Sequence, residues 1–167
     1  MAAMFRAPRK STAGETDPAT PADLRRRAIA HLARREYSRA ELAARLARNG
    51  GDAAEVADVV AVLAEQGLLS DQRFAESLVR TRAQRYGSTR IAGELRSRGV
   101  AADDSGLMVS LRESDAERAS ALWQRKYGTP AGDIAGRAKQ MRFLEARGFP
   151  PDVIRKVVPP VATRGRP

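Results

Sequence analysis

The chain has 167 residues, which suits one or two ordinary domains or three small units that share a core. Its 30 basic residues outnumber its 20 acidic ones and give a net charge of +10, and the absence of cysteine excludes disulfides and thiolate zinc sites. No segment has the pattern of a signal peptide or the length of a membrane span, so we expect a cytoplasmic protein without membrane contact. Such basicity is typical of proteins that bind polyanions or acidic proteins, although an arginine excess would also follow from a GC-rich coding sequence.

The chain carries three copies of a pattern with a step of 49 residues. The repeated positions are Leu46, Leu95 and Leu144, and then Gly50, Gly99 and Gly148. Tyr37 and Tyr86 keep the same step, whereas the third copy lacks the tyrosine. A fixed step of this length predicts stacked supersecondary units, and stacked units predict an elongated body that can follow a long anionic or filamentous partner.

Helical periodicity dominates the chain between its two ends, and strand alternation is absent. Residues 1–20 and 159–167 are predicted to be disordered tails because they mix proline, alanine and charged residues. The remainder predicts an all-α fold, an elongated, curved array of three tandem three-helix units with about nine helices. The predicted units span residues 21–69, 70–113 and 114–158.

Capping signals open the helices of the first unit. Thr20 precedes a proline at the first helical position, and Ser38 and Glu41 have the spacing of a capping box. Glu41 is also placed to pair with Arg45 one turn later. The predicted helices cover about residues 21–35, 38–49 and 52–66.

The other two units repeat this order, the third with an insertion over residues 128–135. Ser70 and Asp133 are predicted N-caps. The glycines predicted to end helices are Gly67, Gly87, Gly99 and Gly148. The predicted helices cover about residues 70–85, 88–98, 103–111, 114–127, 133–147 and 150–158.

Charge is segregated along the chain. Residues 22–51, 70–100 and 114–148 carry net charges of +5, +4 and +3, whereas residues 52–69 and 101–113 carry −4 and −2. Because the sign alternates with the repeat, we expect a basic stripe along one side of the stack. The alternative is that these charges only solvate helix faces.

The chain offers little catalytic chemistry. Its one histidine, His31, lies within a predicted helix without an acidic partner, and no phosphate-binding loop or dinucleotide fingerprint occurs. The few aromatic residues fit core packing better than base stacking. We therefore expect no catalytic residue, no metal and no cofactor, and a protein that is not an enzyme.

Four segments of the chain form a distinctive set. They are Tyr37-Ser38-Arg39-Ala40-Glu41-Leu42, residues 67–75 (Gly-Leu-Leu-Ser-Asp-Gln-Arg-Phe-Ala), Tyr86-Gly87-Ser88 through Glu94-Leu95 and Gly99, and Arg142-Phe143-Leu144 with Arg147-Gly148-Phe149. Together they resemble the RecX family of bacterial recombination regulators. The resemblance covers about residues 24–158 and is weakest at the insertion. It implies a monomeric array of three-helix units that binds the RecA recombinase filament on single-stranded DNA. Such proteins modulate, and mainly inhibit, the recombinase, ATPase and coprotease activities of RecA in DNA repair and the SOS response.

Under this reading, basic side chains contact acidic RecA residues or DNA phosphates. The candidate residues are Arg25, Arg26, Arg34, Arg35, Arg39, Arg45, Arg48, Arg73, Arg82, Arg90, Arg96, Arg98, Lys139, Arg142 and Arg147.

Two other functions fit a chain of this kind. One is a stand-alone helix-turn-helix DNA-binding protein, although the acidic third helices of the first two units would be repelled by phosphates. The other is a general protein-interaction solenoid without a nucleic-acid role.

Overall fold

A computed structural model describes residues 20–102 and 105–161 of the chain. Over these residues the fold is all-α, as predicted, with nine helices and no strand. The helices are α1 (Pro21–Leu32), α2 (Arg39–Arg48), α3 (Ala53–Glu65), α4 (Asp71–Arg82), α5 (Ser88–Ser97), α6 (Gly106–Glu113), α7 (Asp115–Lys126), α8 (Ile134–Glu145) and α9 (Pro151–Val157). In the part of the chain so described, no helix is long and apolar enough to cross a membrane.

Some predicted segments fall outside the described residues. These are residues 1–19 and 162–167, which belong to the predicted tails, and the predicted start of α6 at residues 103–104. Within the described part, α6 begins at Gly106 and continues to Glu113, two residues beyond the predicted end at Leu111.

The predicted N-caps form hydrogen bonds that satisfy the first backbone donors of their helices. The side chains of Thr20, Ser38 and Ser70 each accept a hydrogen bond from the backbone N–H three residues later, at 3.2, 3.0 and 3.3 Å. The Asp133 carboxylate accepts one from the backbone of Gly136 at 2.6 Å. These helix starts are therefore set by local sequence.

Each group of three helices encloses its own apolar core. The first core includes Leu24 and Leu42, the second Phe74 and Ile91, and the third Trp123 with its neighbours from α8 and α9. A three-helix unit of this size buries too little surface to be stable alone in water, so contacts between units matter for stability.

The 49-residue repeat marks the end of the second helix in each group. At these ends the leucines are fully or almost fully buried, and the glycines have φ values of +86°, +74° and +75°. The residue after each glycine donates its backbone N–H to the carbonyl of the repeated leucine, in the pairs Gly51–Leu46, Val100–Leu95 and Phe149–Leu144. This is the Schellman motif, in which the left-handed residue is most often glycine. The repeat is thus explained by three identical helix ends.

Two of these helix ends form joints with the preceding group of helices. The Ser38 hydroxyl donates a hydrogen bond to the Arg98 carbonyl at 2.6 Å, and the backbone N–H of Gly87 donates one to the Arg147 carbonyl at 2.9 Å. Residues 38 and 87 are one repeat apart, and so are residues 98 and 147. The start of α2 therefore meets the end of α5, which we call the first joint. The start of α5 meets the end of α8 at equivalent positions, which we call the second joint.

The joints bring backbone so close that a side chain at the repeated glycine does not fit. A Cβ on Gly99 would lie 2.5 Å from the Cβ of Ala40, and a Cβ on Gly148 would collide with Arg90. A Cβ on Gly50, by contrast, would meet no heavy atom of the described residues within 4 Å.

The prediction that Gly87 ends a helix is wrong. Gly87 is the N-cap of α5 and has an ordinary φ of −77°. A glycine is needed here because a Cβ would collide with the backbone of Gly148 across the second joint. The sequence could not distinguish a glycine chosen for its φ from one chosen for close approach.

A buried ion pair reinforces the second joint. The Asp115 carboxylate is fully buried, and it accepts hydrogen bonds from the backbone and hydroxyl of Ser88 and from the Arg118 guanidinium, the last at 2.5 Å. Arg118 also donates to the carbonyls of Ala83 and Tyr86, both at 2.7 Å. Burial raises the pKa of Asp115, while the hydrogen bonds from Ser88 and the charge of Arg118 lower it. This cluster fixes α7 against the loop between α4 and α5.

Alanine substitution of the repeated glycines separates backbone strain from joint packing. Gly50→Ala should lower the free energy of unfolding by about 1 kcal/mol, the cost of a left-handed non-glycine residue. Gly99→Ala and Gly148→Ala should each cost about 2 kcal/mol more, because the added methyl overpacks a joint. Urea denaturation of the three variants measures this difference. Equal losses at the three positions would contradict the assignment of the joints.

Candidate interaction surface

The predicted basic residues lie in different local environments. Those in ion pairs with a carboxylate are Arg26, Arg35, Arg39, Arg73, Arg82 and Arg98. Those whose side chains contact a backbone carbonyl, a neutral side chain or an aromatic ring are Arg25, Arg45, Arg48, Arg90 and Arg147. The remaining four are exposed, and their side chains form no hydrogen bond or ion pair with the described residues: Arg34, Arg96, Lys139 and Arg142.

Two glutamates neutralise three of the predicted arginines at the first joint. Glu41 accepts hydrogen bonds from Arg35 at 2.8 and 3.1 Å and from Arg98 at 3.5 Å. Glu94 accepts from Arg98 at 2.8 Å and from Arg82 at 3.3 Å. The network joins α2 of the first helix group to α4 and α5 of the second. These arginines therefore hold the joint and are not free for a partner.

The predicted pairing of Glu41 with Arg45 is wrong. Arg35 donates two hydrogen bonds to Glu41, and these bonds hold the pKa of the Glu41 carboxyl below its usual value. Arg45 donates instead to Nε2 of His31 on α1 at 3.3 Å. The planar guanidinium of Arg35 donates two hydrogen bonds to one carboxylate. The structure shows no such bidentate pair between Glu41 and Arg45, one helical turn apart.

Further ion pairs extend the first joint towards the start of α4. Arg73 on α4 donates to the Glu36 carboxylate at 3.0 Å, and the backbone N–H of Arg39 donates to the Asp71 carboxylate at 2.8 Å. Both contacts link the loop before α2 with the first turn of α4. Arg39 and Arg73 thus act across the joint as well.

Positive charge on the first helix group acts on its histidine. The pKa of His31 is lowered by partial burial of the ring and then by the positive charges of Arg45, Arg34 and Arg35. The hydrogen bond from Arg45 also requires Nε2 to be unprotonated. His31 therefore stays neutral at pH 7 and reports the local positive potential.

Sequence reasoning missed three arginines that the structure places at the second joint. Arg118 forms the buried pair with Asp115, while Arg85 and Arg125 line an open cleft beside it. A signal for Arg85 was present, because it stands one repeat after Glu36 and so reverses the charge at that position. For Arg118 the spacing of three residues from Asp115 was a signal for their pairing, whereas its hydrogen bonds to the carbonyls of Ala83 and Tyr86, 35 and 32 residues away, gave none.

The described residues provide no arrangement for metal chemistry. Among residues 20–102 and 105–161, no three histidine or acidic side chains cluster as metal ligands would. The acids of the first joint are instead engaged with arginines. What the surface offers is a set of exposed guanidinium and ammonium groups, which suits the binding of anionic groups.

The His31 pKa should respond to one neighbour and not to another. NMR titration of this single histidine should give a pKa below 6.5, and Arg45→Gln should raise it. Arg48→Gln, one turn further along α2, should leave it unchanged. Because the folded pKa lies below the unfolded one, this group should make the protein less stable as the pH falls through the window just below 6.5. A pKa at or above 6.5, or an equal response to both variants, would contradict this environment.

The chain matches three family models, one for each group of helices. They describe the first, second and third three-helix domains of RecX and match residues 25–63, 70–105 and 113–158. The regulatory protein RecX of Leptothrix cholodnii is 46% identical over 136 residues, which cover 81% of this chain and 87% of that protein. That of Ralstonia nicotianae is 42% identical over 142 residues, which cover 84% and 89%.

The fold is also that of a solved structure. The crystal structure of RecX from Lactobacillus salivarius superposes with a TM-score of 0.66 at 19% identity, covering 82% of this chain and 93% of the other. Because the relatives match across all three helix groups, the chain belongs to the RecX family of regulatory proteins.

Proposed function

We propose that this protein binds the RecA filament on single-stranded DNA in the cytoplasm and mainly inhibits its recombinase, ATPase and coprotease activities during DNA repair and the SOS response. It acts as a monomer and without catalysis of its own. Membership of the RecX family supports the regulatory role. The observation that carries the proposal further is the joint that occurs twice between equivalent residues.

A repeated joint suits a repeating partner. The contact from residue 38 to residue 98 recurs from residue 87 to residue 147. Equivalent residues meet at both joints, through the Ser38 hydroxyl at the first and the Gly87 backbone N–H at the second, so successive helix groups are held at equivalent positions. A filament of identical protomers presents equivalent surfaces at regular intervals, and a chain built from equivalent joints can contact several of them at once.

The exposed and unpaired cations are the best candidates for contacts with that partner. Arg34 follows α1, Arg96 is on α5, and Lys139 and Arg142 are on α8, so each helix group contributes at least one. Their side chains form no hydrogen bond or ion pair with the described residues, so no such bond has to break when they bind a partner. They would pair with acidic RecA side chains or with DNA phosphates.

Inhibition would follow from occlusion. A body that contacts neighbouring protomers along the filament blocks the access of a second DNA and hinders the subunit motions that ATP turnover requires. Charged contacts at the rim of such an interface mainly speed association and fix the register.

A stand-alone helix-turn-helix function is less consistent with the third helix of the first group. Asp52 caps α3 by accepting the backbone N–H groups of Ala54 and Glu55 at 2.9 and 3.3 Å. Asp58 is exposed on the same helix. A helix that starts with acids would be repelled by the phosphates on either side of a DNA groove.

The proposal predicts a loss of inhibition when unpaired cations are removed. The triple variant Arg34→Gln, Arg96→Gln, Arg142→Gln should require roughly tenfold more protein for half-inhibition of the DNA-dependent RecA ATPase, since exposed contacts contribute roughly 0.5 kcal/mol each. Its folding should be unchanged. Strand exchange and electron microscopy of the filaments would show whether the protein still binds along them.

A control variant removes the same charge from exposed positions outside the candidate set. Arg80→Gln, Arg155→Gln and Lys156→Gln together should change inhibition by less than about threefold. If the unmodified protein at stoichiometric amounts leaves both the ATPase and strand exchange unchanged, the proposed function is wrong. Equal effects of the two triple variants would show that the candidate residues act only through the net charge of the protein.

A further inference from the structure

Four arginines line one cleft at the second joint. The cleft has a volume of about 430 Å³, and its charged lining consists of Arg85, Arg90, Arg125 and Arg147. No carboxylate lines it, and none of the four forms an ion pair with an acid in the described part of the chain. Four like charges in one cleft create a concentrated positive potential.

The first joint has an equivalent cleft, which serves as an internal comparison. That cleft has a volume of about 420 Å³ and is lined by Arg35, Arg82 and Arg98 together with Glu36. Arg98 there and Arg147 at the second joint are one repeat apart. The two clefts therefore share their position in the fold.

The acids that neutralise the first cleft are replaced at the second. One repeat after Glu36 stands Arg85, and one repeat after Glu41 stands Arg90. One repeat after Glu94, the third acid of the first joint, stands a phenylalanine. The arginines of the first cleft are thus neutralised by nearby glutamates, whereas no acid of the described residues forms an ion pair with an arginine of the second.

Two of the four arginines are held in place by groups that carry no charge. Arg90 donates to the Ala146 carbonyl at 3.2 Å and lies 4.3 Å from the centre of the Tyr86 ring. Arg147 donates to the carbonyl of Phe143 at 3.0 Å and lies 3.7 Å from the centre of that ring. These contacts orient the guanidinium groups and leave most of their donors free, because each guanidinium has five. The site is therefore preorganised before an anion arrives.

The other two arginines are exposed and unengaged. Arg85 precedes α5 and Arg125 lies in the last turn of α7, and the side chain of neither forms a hydrogen bond or an ion pair with the described residues. They can close on an anion held by Arg90 and Arg147 without breaking such a bond.

We infer that this cleft binds the phosphodiester backbone of single-stranded nucleic acid directly. Guanidinium groups match phosphate oxygens in pairs, and backbone contacts of this kind position a protein without reading sequence. An arginine covers one face of the Tyr86 ring and one face of the Phe143 ring, which reduces the surface available for base stacking. Arginine clusters also recognise acidic peptide motifs, so the test below measures nucleic-acid binding in the absence of RecA.

This inference deepens the proposed function, on which its biological setting rests, by separating a DNA-binding cleft from the surfaces that would meet RecA. The cleft can be tested without the recombinase. Fluorescence anisotropy of an oligothymidylate of about 20 nucleotides would measure binding to the full-length protein over a range of salt concentrations.

The informative variant is Arg85→Gln with Arg125→Gln, because neither side chain forms a hydrogen bond or an ion pair with the described residues, so the changes should leave folding unchanged. We expect binding to weaken by about tenfold or more, and the slope of log K against log salt to fall by about 1.4, as for two lost contacts to a single strand. The charge-matched control is Arg80→Gln with Arg155→Gln, which should weaken binding by less than about threefold.

Equal losses in the two double variants, or no loss in the cleft variant, would overturn the inference. It would also be overturned if the unmodified protein failed to bind the oligonucleotide while the cleft variant lost inhibition of RecA, since the cleft would then contact an acidic protein surface. Oligonucleotide binding that depends on the cleft, in a protein that does not affect RecA, would support the cleft and reject the proposed function.

Discussion

The structure depends on the close approach of one helix end to the start of another. At each joint a glycine in the left-handed region turns the chain after α5 or α8, and its missing side chain makes room for the helix group that precedes it. The hydrogen bond across the joint then satisfies a carbonyl that the helix end would otherwise leave unpaired. Glycine is therefore required at Gly99 and Gly148 both for the left-handed φ and for the close approach across the joint. At Gly50 the left-handed φ alone favours glycine, so the residue recurs with a fixed step.

The two joints bring together equivalent segments of the backbone and differ in their side chains. The first is surrounded by glutamates that pair with the arginines of both helix groups. The second is fixed from within by the buried Asp115–Arg118 pair, and the arginines of its cleft form no ion pair within residues 20–102 and 105–161. Breaking a buried pair is costly, whereas exposed pairs contribute little each. The second joint can thus keep its geometry without the neutralising acids that the first has at its surface.

Local features of the fold could be predicted from the sequence, and contacts across the joints could not. The caps at Thr20, Ser38 and Ser70 follow from hydrogen bonds within one turn, so their residue types and spacing were sufficient. The role of Gly87 depends on Gly148, which lies far along the chain. The pairing of Glu41 depends on Arg35 in the loop before α2 and on Arg98, which approaches from another helix group. Periodicity reports which face of a helix is buried, but it does not report what the neighbouring element presents to that face.

The same distinction applies to charge. A net charge of +10 predicts affinity for anions, yet it cannot show which cations remain available. Several of the predicted contact arginines, among them Arg35 and Arg98, form ion pairs that hold the first joint. The side chains of Arg85 and Arg125, which are not among the predicted contacts, line the second cleft and form no ion pair with the described residues. An arginine that is already paired must break an internal bond before it can bind a partner, so the pairing pattern, more than the number of charges, decides where an anion can bind on a chain as basic as this one.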